Sequence, residues 1–410
     1  MLDVFSAPTR TWFSAAFAEP TPAQVGAWQA ISAGRNALVV APTGSGKTLS
    51  AFLWSLDRIA AEGTPPDKKQ RCRVLYVSPL KALAVDVERN LRAPLTGIRQ
   101  TASRLGEHVP DITVGVRSGD TPATERRRLA TTPPDILITT PESLFLMLTS
   151  QAREALRGVE TVIVDEVHAV AGTKRGAHLA LSLERLDELL EKPAQRIGLS
   201  ATVRPIEEVA RFLGGPRPVE VVAPGSTKEW DLKVVVPVED MTELALAQLE
   251  EVPEGSAAGN AERRASIWPH VEERVVDLIG QHRSTIVFAN SRRLAERLTA
   301  RFNEIAAERA GLEPATSTTP TAPPAQVMAQ SGEARGAAPV IARAHHGSVS
   351  KEQRSLIEDD LKRGALPCVV ATSSLELGID MGAVDLVIQI ESPPSVASAL
   401  QRVGRAGHQV

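Results

Sequence analysis

The stretch from Ala41 to Thr48, APTGSGKT, decides the fold of this chain. It follows the apolar run ALVV, which ends at Val40, and it precedes a segment whose apolar residues recur at helical spacing. A strand, a tight loop and a helix in this order direct loop N–H groups and a helix N-terminus toward one point, which favours a bound anion. The stretch therefore predicts a phosphate-binding loop within an α/β sheet.

The residue types in this loop suit a bound nucleotide. Gly44 and Gly46 let the backbone curl and approach oxygen atoms closely, and Lys47 supplies a positive charge for the outer phosphates. The hydroxyl of Thr48 is placed to bind Mg²⁺. The loop opens with Ala41 where the usual pattern has Gly, which costs little if φ is negative there. A glycine-rich turn without a ligand is the alternative interpretation.

The composition is that of an ordinary globular protein with more than one domain. The chain has 410 residues, which is too many for one core, and 43% of them are hydrophobic while 23% are charged. No apolar run approaches the roughly 18 residues that a membrane span needs, and the N-terminal segment lacks the pattern of a secretion signal. We expect a cytoplasmic protein that does not bind membranes.

The cysteines and the net charge limit the kinds of site and of binding surface that this protein can have. Cys72 and Cys368 form no Cys-x-x-Cys pattern, so we expect buried thiols rather than disulfides or a cysteine-rich zinc site. The net charge of −3 argues against a uniformly basic coat for nucleic acid, although it leaves room for a local basic groove. Charge alone does not decide the partner.

Five apolar segments at the spacing of βαβ units predict the strands of a first domain. They are ALVV, VLYV, ILITT, TVIV and QRIGLS. A helix that stops at Gly214 and Gly215, followed by a Pro- and Gly-rich segment at 216–230, indicates the domain boundary. We expect a first domain at residues 1–220, a linker at 221–232 and a second domain at 233–410, with flexible insertions near 252–262 and 311–339.

Two adjacent carboxylates end the strand segment TVIV. Asp165 and Glu166 are expensive to bury without a cation, and a Mg²⁺ ion held jointly with Thr48 would supply one. In that arrangement Asp165 binds the metal, and Glu166 orients and deprotonates an attacking water. A helix-capping acidic pair is the alternative. His168 alone would more often be structural.

Two further features are ambiguous from the residues alone. Gln24, in a helix that starts at Thr21 and Pro22, is either a reader of an adenine edge or a solvent-facing helical residue. Near the C-terminus, Arg402 and Arg405 stand three apart on a short predicted helix, which points both toward one face. They are either arginine fingers for a phosphate bound on the first domain or ordinary surface residues.

Nine segments fall in the order and spacing of the superfamily 2 helicase motifs, and their details resemble the large helicase-related (Lhr) family. DEVH and the initial Gln401 of the last segment differ from the common RNA helicases and favour this branch. The segments are APTGSGKT, SPLKAL, TTPES, DEVH, LSAT, IVFANS, HHGS, ATSSLELGIDMG and QRVGRAGH.

The resemblance implies two tandem RecA-like domains, each a mainly parallel sheet flanked by helices, with ATP and Mg²⁺ in the cleft between them. The implied nucleotide ligands are Gln24, Thr43, Gly44, Ser45, Gly46, Lys47, Thr48, Gly378 and Asp380. The implied catalytic residues are Lys47, Asp165, Glu166, Gln401, Arg402 and Arg405, with Thr48 and Asp165 as metal ligands. The implied coupling residues, which relay nucleotide state, are His168, Ser200 and Thr202.

The resemblance also implies a single-stranded nucleic acid, DNA more than RNA, that crosses both domains. Hydroxyl, amide, Gly and Lys groups suit contacts to a phosphate backbone without base reading. The implied strand contacts are Lys81, Gly119, Thr140, Asn290, His346 and Thr372.

The resemblance implies ATP hydrolysis stimulated by single-stranded DNA, with helicase or translocase movement from 3′ to 5′, a place in DNA repair or recombination and a nucleoid-associated location. The last motif ends in His408 where Arg is common, and Lhr proteins continue into a winged-helix domain and further modules that we expect to be missing here. A non-cycling, ATP-gated nucleic-acid clamp is the rival interpretation. A small-molecule phosphotransferase leaves the repeated second domain unexplained.

Overall fold

The computed structural model describes residues 2–42, 45–79, 81–201, 203–225, 231–238, 267–311, 340–376 and 384–407, and for residues 81–86 and 351 it describes the backbone alone. The chain divides into two compact units, residues 1–227 and 228–410. The two expected insertions lie outside the described residues, apart from Gly311.

The described part of the first unit contains one sheet of seven strands. Every pairing in it is parallel, and the strand order is β3-β4-β2-β5-β6-β1-β7. The strands are β1 (Asn36–Val40), β2 (Val74–Val77), β3 (Val114–Arg117), β4 (Ile136–Thr139), β5 (Thr161–Val164), β6 (Gln195–Ser200) and β7 (Val219–Val222).

Helices cover both faces of this sheet. They are α1 (Ala7–Ala16), α2 (Pro22–Ser32), α3 (Lys47–Glu62), α4 (Lys81–Arg104), α5 (Ala123–Thr131), α6 (Pro141–Leu148), α7 (Val167–Ala171), α8 (Lys174–Leu189) and α9 (Ile206–Gly214). Short 3₁₀ turns lie at Leu2–Val4, Lys68–Gln70 and Gln151–Leu156. In the part of the chain that the structure describes, no helix is long and apolar enough to cross a bilayer.

The continuous apolar character of the strands follows from burial on both faces. In β2, Val74 and Tyr76 enter the hydrophobic cluster on one side of the sheet, whereas Leu75 and Val77 enter the cluster on the other. All four residues are buried. A parallel strand covered by helices on both sides has no solvent face, so its sequence shows no alternation.

Two strands add to the five that the sequence predicts, within the described residues of the first unit. One is β3, and the other is β7, which lies in the first part of the segment at 216–230, whereas the two units divide after residue 227, within the same segment. This strand pairs in parallel with β1, and the amide of Asn36 donates to the carbonyl of Pro218 at 3.2 Å. Its sequence signal was weak because an edge strand is short and, here, only partly buried.

The N-terminal residues form an aromatic cap on α2, α3 and α4. Phe5 and Phe13 both contact Trp28 edge-on, with ring centroids 5.0 and 5.4 Å apart. The backbone N–H and the hydroxyl of Ser6 donate to the buried carboxylate of Asp57 on α3. The first 17 residues therefore brace the helix that follows the phosphate loop.

The described part of the second unit contains a smaller parallel sheet in the order β11-β8-β10-β9. The apolar runs in STIVFAN, VIARAHHG, PCVVATS and VDLVIQIE predict four strands, and the structure has a strand in each of them. The strands are β8 (Thr285–Phe288), β9 (Ala342–His345), β10 (Cys368–Ala371) and β11 (Leu386–Gln389). The helices are α10 (Trp268–Gly280), α11 (Arg292–Arg309), α12 (Lys351–Arg363) and α13 (Val396–Val403), and a 3₁₀ turn lies at Ser373–Leu375.

The junction between α7 and α8 is closely packed. The hydroxyl of Thr173 accepts from the N–H of Gly176 at 3.0 Å and donates to the carbonyl of Val170 at 2.8 Å. A Cβ atom at position 176 would collide with that same carbonyl, whereas a Cβ at Gly172 would meet no atom within 4 Å. Gly176 thus allows the two helices to meet directly after the carboxylate pair.

We expect Gly176→Ala to lower the free energy of unfolding by about 3 kcal/mol, because the new methyl group must displace backbone. Gly172→Ala is the matched control and should change it by less than about 0.5 kcal/mol, since its backbone has an ordinary negative φ and open space. Urea unfolding of both variants measures the difference. Equal stability of the two variants would contradict the close packing of this junction.

Candidate functional site

The expected nucleotide residues of the first unit meet at the carboxyl ends of three neighbouring strands. Strands β5, β6 and β1 are adjacent and parallel, so the residues that follow them share one edge of the sheet. The N–H of Ala41 donates to the carbonyl of Ser200 at 3.2 Å. Lys47 is close enough to Asp165 to influence the pKa of its carboxyl. The structure thus brings the loop and the carboxylates together.

The glycine-rich loop turns into α3 at a left-handed residue. Gly46 has φ +74° and ψ +20°, a conformation that favours glycine, and Lys47 is the first residue of the helix. The amino group of Lys47 donates to the carbonyl of Ala41, and the hydroxyl of Ser45 donates to the carbonyl of Pro42 at 2.7 Å. Thr48 lies in the first turn of α3. The expected ligands Thr43 and Gly44 lie outside the described residues.

Helix α2 packs its N-terminus against this loop. The hydroxyl of Thr21 donates to the carbonyl of Ser45 at 2.8 Å, and Thr21 and Gln24 form a capping box in which each side chain accepts from the backbone N–H of the other. The Gln24 side chain is 4% exposed, and its amide lies so close to Gly46 that a Cβ there would collide with it. The interpretation of Gln24 as solvent-facing is therefore wrong.

The carboxylate of Asp165 is buried and surrounded by donors. The hydroxyl of Tyr76 donates to Oδ2, and the N–H of Glu166 donates to Oδ1 at 2.9 Å. Burial and the neighbouring charge of Glu166 raise the pKa of Asp165 to about 7, while the hydrogen bond from Tyr76 and the charge of Lys47 act in the opposite direction. A cation at this carboxylate would relieve the unfavourable burial.

Glu166 has a backbone conformation that is uncommon for a residue with a side chain. Its φ is +43° and its ψ is +46°, and positive φ at a non-glycine residue often marks a functional site. Glu166 precedes α7, but its side chain makes no capping hydrogen bond. The alternative of a helix-capping acidic pair therefore has no support at Glu166.

Tyr76 is a site residue that the sequence interpretation missed. It is the single tyrosine of the chain, it is fully buried in β2, and its ring stacks on Phe52 of α3 at a centroid distance of 5.1 Å. Burial raises the pKa of its hydroxyl well above the usual value, as do the carboxylates of Asp165 and Glu166. The available signal was a hydroxyl in an otherwise apolar strand, because a buried tyrosine hydroxyl needs a partner.

His168 joins the ends of β5 and β6. Its Nδ1 lies 3.0 Å from the hydroxyl of Ser200 and accepts from the N–H of Ala201 at 3.3 Å. Its Nε2 lies 3.5 Å from the carboxylate of Glu166. Burial, with a smaller effect of Lys47, lowers the pKa of His168 to about 4, so the ring is neutral near pH 7. Thr202, the third expected coupling residue, lies outside the described residues.

In the second unit, the buried side chain of Arg402 lies at the centre of a polar cluster. Its guanidinium donates to Glu376 at 2.9 and 3.0 Å, to Asn290 at 3.1 Å and to Gln389 at 2.8 Å. It also lies over the ring of Phe288, 5.2 Å from the centroid. With 2% exposure, Arg402 is not an ordinary surface residue.

Arg405 is not on the same helix as Arg402, which corrects the sequence interpretation. Helix α13 ends at Val403, and Gly404 closes it, so a spacing of three no longer places the two arginines on one helical face. Arg405 is buried, and its Nη2 donates to the backbone carbonyl of Glu376 at 2.8 Å. Both arginines contact Glu376, Arg402 through its carboxylate and Arg405 through its backbone carbonyl.

The remaining expected nucleotide residues of the second unit are described only in part. Gln401 is a partly buried residue of α13. Gly378 and Asp380 lie outside the described residues, as does His408.

In the first unit, the residues expected to contact the nucleic acid follow three adjacent β-strands. Gly119 is exposed in the turn after β3, and Thr140 follows β4. Lys81 begins α4 after β2, but its side chain is outside the described residues. Thr140 is buried and caps α6, with its hydroxyl accepting from the N–H of Ser143 at 3.4 Å. The three positions share one edge of the sheet, although the Thr140 side chain points inward.

The expected strand contacts of the second unit differ in accessibility. Asn290 is exposed, yet its amide donates to the carbonyl of Ser392 at 2.8 Å and accepts from Arg402. His346 is buried, and its Nε2 lies 2.6 Å from the carboxylate of Glu296. Thr372 is partly buried at the start of a 3₁₀ turn. In this structure, Asn290 and His346 therefore have intramolecular partners for the groups that would contact a strand.

Two family profiles match consecutive parts of the chain. Residues 21–210 match the DEAD/DEAH box helicase family, and residues 270–409 match the helicase conserved C-terminal domain. The chain is 66% identical over 409 residues to the Lhr helicase/probable uracil glycosylase of Mycolicibacterium smegmatis and 57% identical over 412 residues to the Lhr helicase/uracil glycosylase of Escherichia coli. These alignments cover 99% and 100% of this chain but 26% of each relative, so the chain spans about a quarter of their length.

One solved structure is similar over the whole chain. It is the Mycobacterium smegmatis helicase Lhr bound to ssDNA and AMP-PNP, with a TM-score of 0.80 and 64% identity, and the match covers 100% of this chain and 46% of that one. The two parallel sheets flanked by helices are thus those of a two-domain RecA-like helicase, and the expected fold class is confirmed.

We expect His168 to make the wild type less stable at acid pH, and His168→Gln to remove this loss of stability. Because the pKa of His168 is about 4 in the folded protein and 6.5 ordinarily, the unfolded chain binds a proton more readily between these values, and stability falls as pH drops through this window. When the pH is lowered from 7.5 to 5, the free energy of unfolding of the variant should rise by about 2 kcal/mol relative to that of the wild type. Urea unfolding at both pH values measures this change.

The exposed His108 provides the control, since His108→Gln should give no such pH-dependent gain. A difference between wild type and His168→Gln that is the same at both pH values would contradict the assignment of a neutral, buried ring.

Proposed function

Because this chain belongs to the Lhr family of superfamily 2 helicases, we propose that it hydrolyses ATP and that single-stranded DNA stimulates the hydrolysis. One observation carries the proposal: the glycine-rich loop with Lys47 meets the buried pair Asp165 and Glu166 at one edge of the sheet. A phosphate-binding loop beside a carboxylate pair is the arrangement that phosphoryl transfer requires.

The ATP site of the first domain is assigned to groups of the loop and of α2. The loop N–H groups, the N-terminus of α3 and the amino group of Lys47 bind the phosphates. The amide of Gln24 reads the adenine edge, which is supported by its position against Gly46. Ser45 shapes the loop through its hydrogen bond to Pro42. Thr43 and Gly44 complete the expected set.

The residues present suit a Mg²⁺ ion. Among the described residues, no group of three or more His, Cys, Asp or Glu side chains could hold a metal. Mg²⁺ does not need one, because it usually keeps several waters and binds one or two protein oxygens together with substrate phosphates. The hydroxyl of Thr48 and the carboxylate of Asp165 would hold it. When bound, the ion would stabilise negative charge on the phosphates.

Glu166 is assigned as the residue that orients the attacking water and accepts its proton. Its carboxylate is buried beside Asp165, and it has no capping role that would compete. The neutral ring of His168 lies between Glu166 and Ser200, so a change at the carboxylates reaches the end of β6. These contacts support the coupling roles of His168 and Ser200 and, by extension, of Thr202.

The second domain is assigned the closing side of the nucleotide site, through Gly378, Asp380, Gln401 and Arg405. For Arg402 the structure favours a different role from that of a finger. Its buried guanidinium is already bonded to acceptors from three segments of its own domain, so removing it would break the contacts that join these segments. We assign the phosphate contact to Arg405 and the internal bracing to Arg402.

The single-stranded nucleic acid is proposed to lie along the carboxyl ends of the β-strands that precede Lys81, Gly119 and Thr140. In the second domain it is proposed to lie along Asn290, His346 and Thr372. The similar M. smegmatis Lhr is bound to ssDNA, which supports DNA as the strand. Movement from 3′ to 5′, a repair or recombination role and a nucleoid location stay predictions.

We expect single-stranded DNA to stimulate phosphate release by this chain at least severalfold, and Glu166→Gln to reduce the stimulated rate by at least about a hundredfold. The variant should still bind ATP and DNA, because it changes the base and leaves the charge of Lys47 and the loop intact. Glu160→Gln, which makes the same charge change beyond the opposite end of β5, should retain turnover. Steady-state phosphate release and filter binding measure these quantities.

The outcomes separate the proposed function from its rival. ATP and DNA binding without turnover in the wild type would favour the non-cycling clamp. Turnover that DNA does not change would favour a small-molecule phosphotransferase. Near-normal turnover in Glu166→Gln would contradict the assignment of the base.

We expect Tyr76→Phe to raise the Mg²⁺ concentration for half-maximal hydrolysis about tenfold, because the carboxylate of Asp165 loses a hydrogen bond that fixes its position. The ring and its stacking on Phe52 remain. Thr161→Val, which removes a hydroxyl from the opposite end of β5, is the control and should leave this concentration unchanged. A Mg²⁺ dependence of Tyr76→Phe that equals the wild type would contradict the positioning role.

A further inference from the structure

We propose that Arg175 is a positioning residue for the nucleic-acid strand. Its guanidinium joins the loop after β2 to the first turn of α6, and it thereby fixes two segments that face the strand. The inference rests on the proposed function, because it concerns the same edge of the first domain. Arg175 itself is not assigned a contact to the strand.

The contacts of Arg175 use three of its donors on two different segments. Its Nη1 donates to the backbone carbonyl of Pro79 at 2.6 Å. Its Nη2 donates to one carboxylate oxygen of Glu142 at 2.9 Å, and its Nε donates to the other. A planar guanidinium can make this fork and bind a third acceptor at the same time, which a lysine cannot reproduce.

The two joined segments carry expected strand contacts. Pro79 lies two residues before Lys81, and Glu142 lies two residues after Thr140. Strands β2 and β4 are neighbours, and their ladder ends where the N–H of Ser78 donates to the carbonyl of Thr139 at 2.8 Å. Beyond that point, Arg175 adds a link between the loop after β2 and the first turn of α6.

The charge of Arg175 acts on Glu142 as the geometry predicts. The hydrogen bond from Arg175 is the largest effect on the pKa of the Glu142 carboxyl, which lies below its usual range. Glu142 is therefore ionised near neutral pH. The pair is partly exposed, so its value lies in fixing position rather than in stabilising the fold.

Arg175 also belongs to the segment that starts at the carboxylate pair. Helix α7 begins directly after Glu166, and Thr173 and Gly176 pack α8 closely against it. Arg175 lies in the first turn of α8. The same rigid segment thus carries the proposed water-activating residue at one end and the link to the strand-facing loops at the other.

The test compares variants that change charge in opposite directions. Arg175→Gln removes a positive charge, whereas Glu142→Gln removes a negative one, yet both break the same contact. If Arg175 positions the loops, both variants should raise the ssDNA concentration for half-maximal stimulation about tenfold while the rate at saturating ssDNA stays within about twofold of the wild type. If simple attraction dominated, Glu142→Gln would bind the strand more tightly.

Two further variants complete the design. Arg175→Lys keeps the charge without the fork and should be intermediate. Arg157→Gln is the matched control, because Arg157 makes the same forked contact with Glu154, at 2.8 and 3.2 Å, near the opposite edge of the sheet. It should leave both kinetic quantities unchanged. Phosphate release is titrated with an oligodeoxythymidylate at fixed salt, and thermal unfolding checks that each variant is folded.

Salt dependence separates positioning from direct contact. Each phosphate contact to single-stranded DNA contributes about 0.7 to the slope of log affinity against log salt concentration, so its loss would lower that slope. We expect Arg175→Gln to keep the wild-type slope. A lower slope, tighter binding by Glu142→Gln, or a half-maximal concentration within twofold of the wild type in both variants would overturn the inference. A wild type that DNA does not stimulate would instead overturn the proposed function.

Discussion

The carboxylate of Asp165 is buried next to a second carboxylate, and the fold of the first domain supplies the hydrogen-bond donors and the positive charge that this burial requires. Buried charge requires donors or a cation. The donors come from Tyr76 on the neighbouring strand and from the N–H of Glu166, and the amino group of Lys47 adds positive charge. The strand order β2-β5-β6-β1 brings these groups to one edge of the sheet, so the chemistry of the site depends on the topology.

The parts of the fold that the sequence predicted are those that local patterns determine. Strands such as Val74–Val77 are continuous apolar runs because helices cover both faces of the sheet. Glycine marks the turn into α3 at Gly46 and the end of α9 at Gly215, because both positions have a positive φ that favours glycine. The strand Val219–Val222 escaped prediction because it is a short edge strand that is only partly buried, so it lacks the continuous apolar run of the central strands.

The site was predicted less completely, because side-chain pairing is a tertiary property. The pattern placed Lys47 near Asp165, and the family resemblance added Gln24, but neither gave a sign of Tyr76, whose role depends on the neighbouring strand. Arg402 and Arg405 looked equivalent along the chain, yet the helix ends between them and their surroundings differ. The roles of the residues at the nucleotide and along the strand remain proposals that rest on this geometry and on the family.

A chain with one tyrosine carries an unusual spectroscopic label. Selective ¹³C enrichment of tyrosine at the ring carbon that bears the hydroxyl would give one aromatic resonance from a protein of 410 residues. That resonance would arise from the ring whose oxygen contacts Asp165, in the proposed nucleotide site. Nuclear magnetic resonance could therefore observe the protonation and occupancy of this carboxylate during turnover, without a foreign probe.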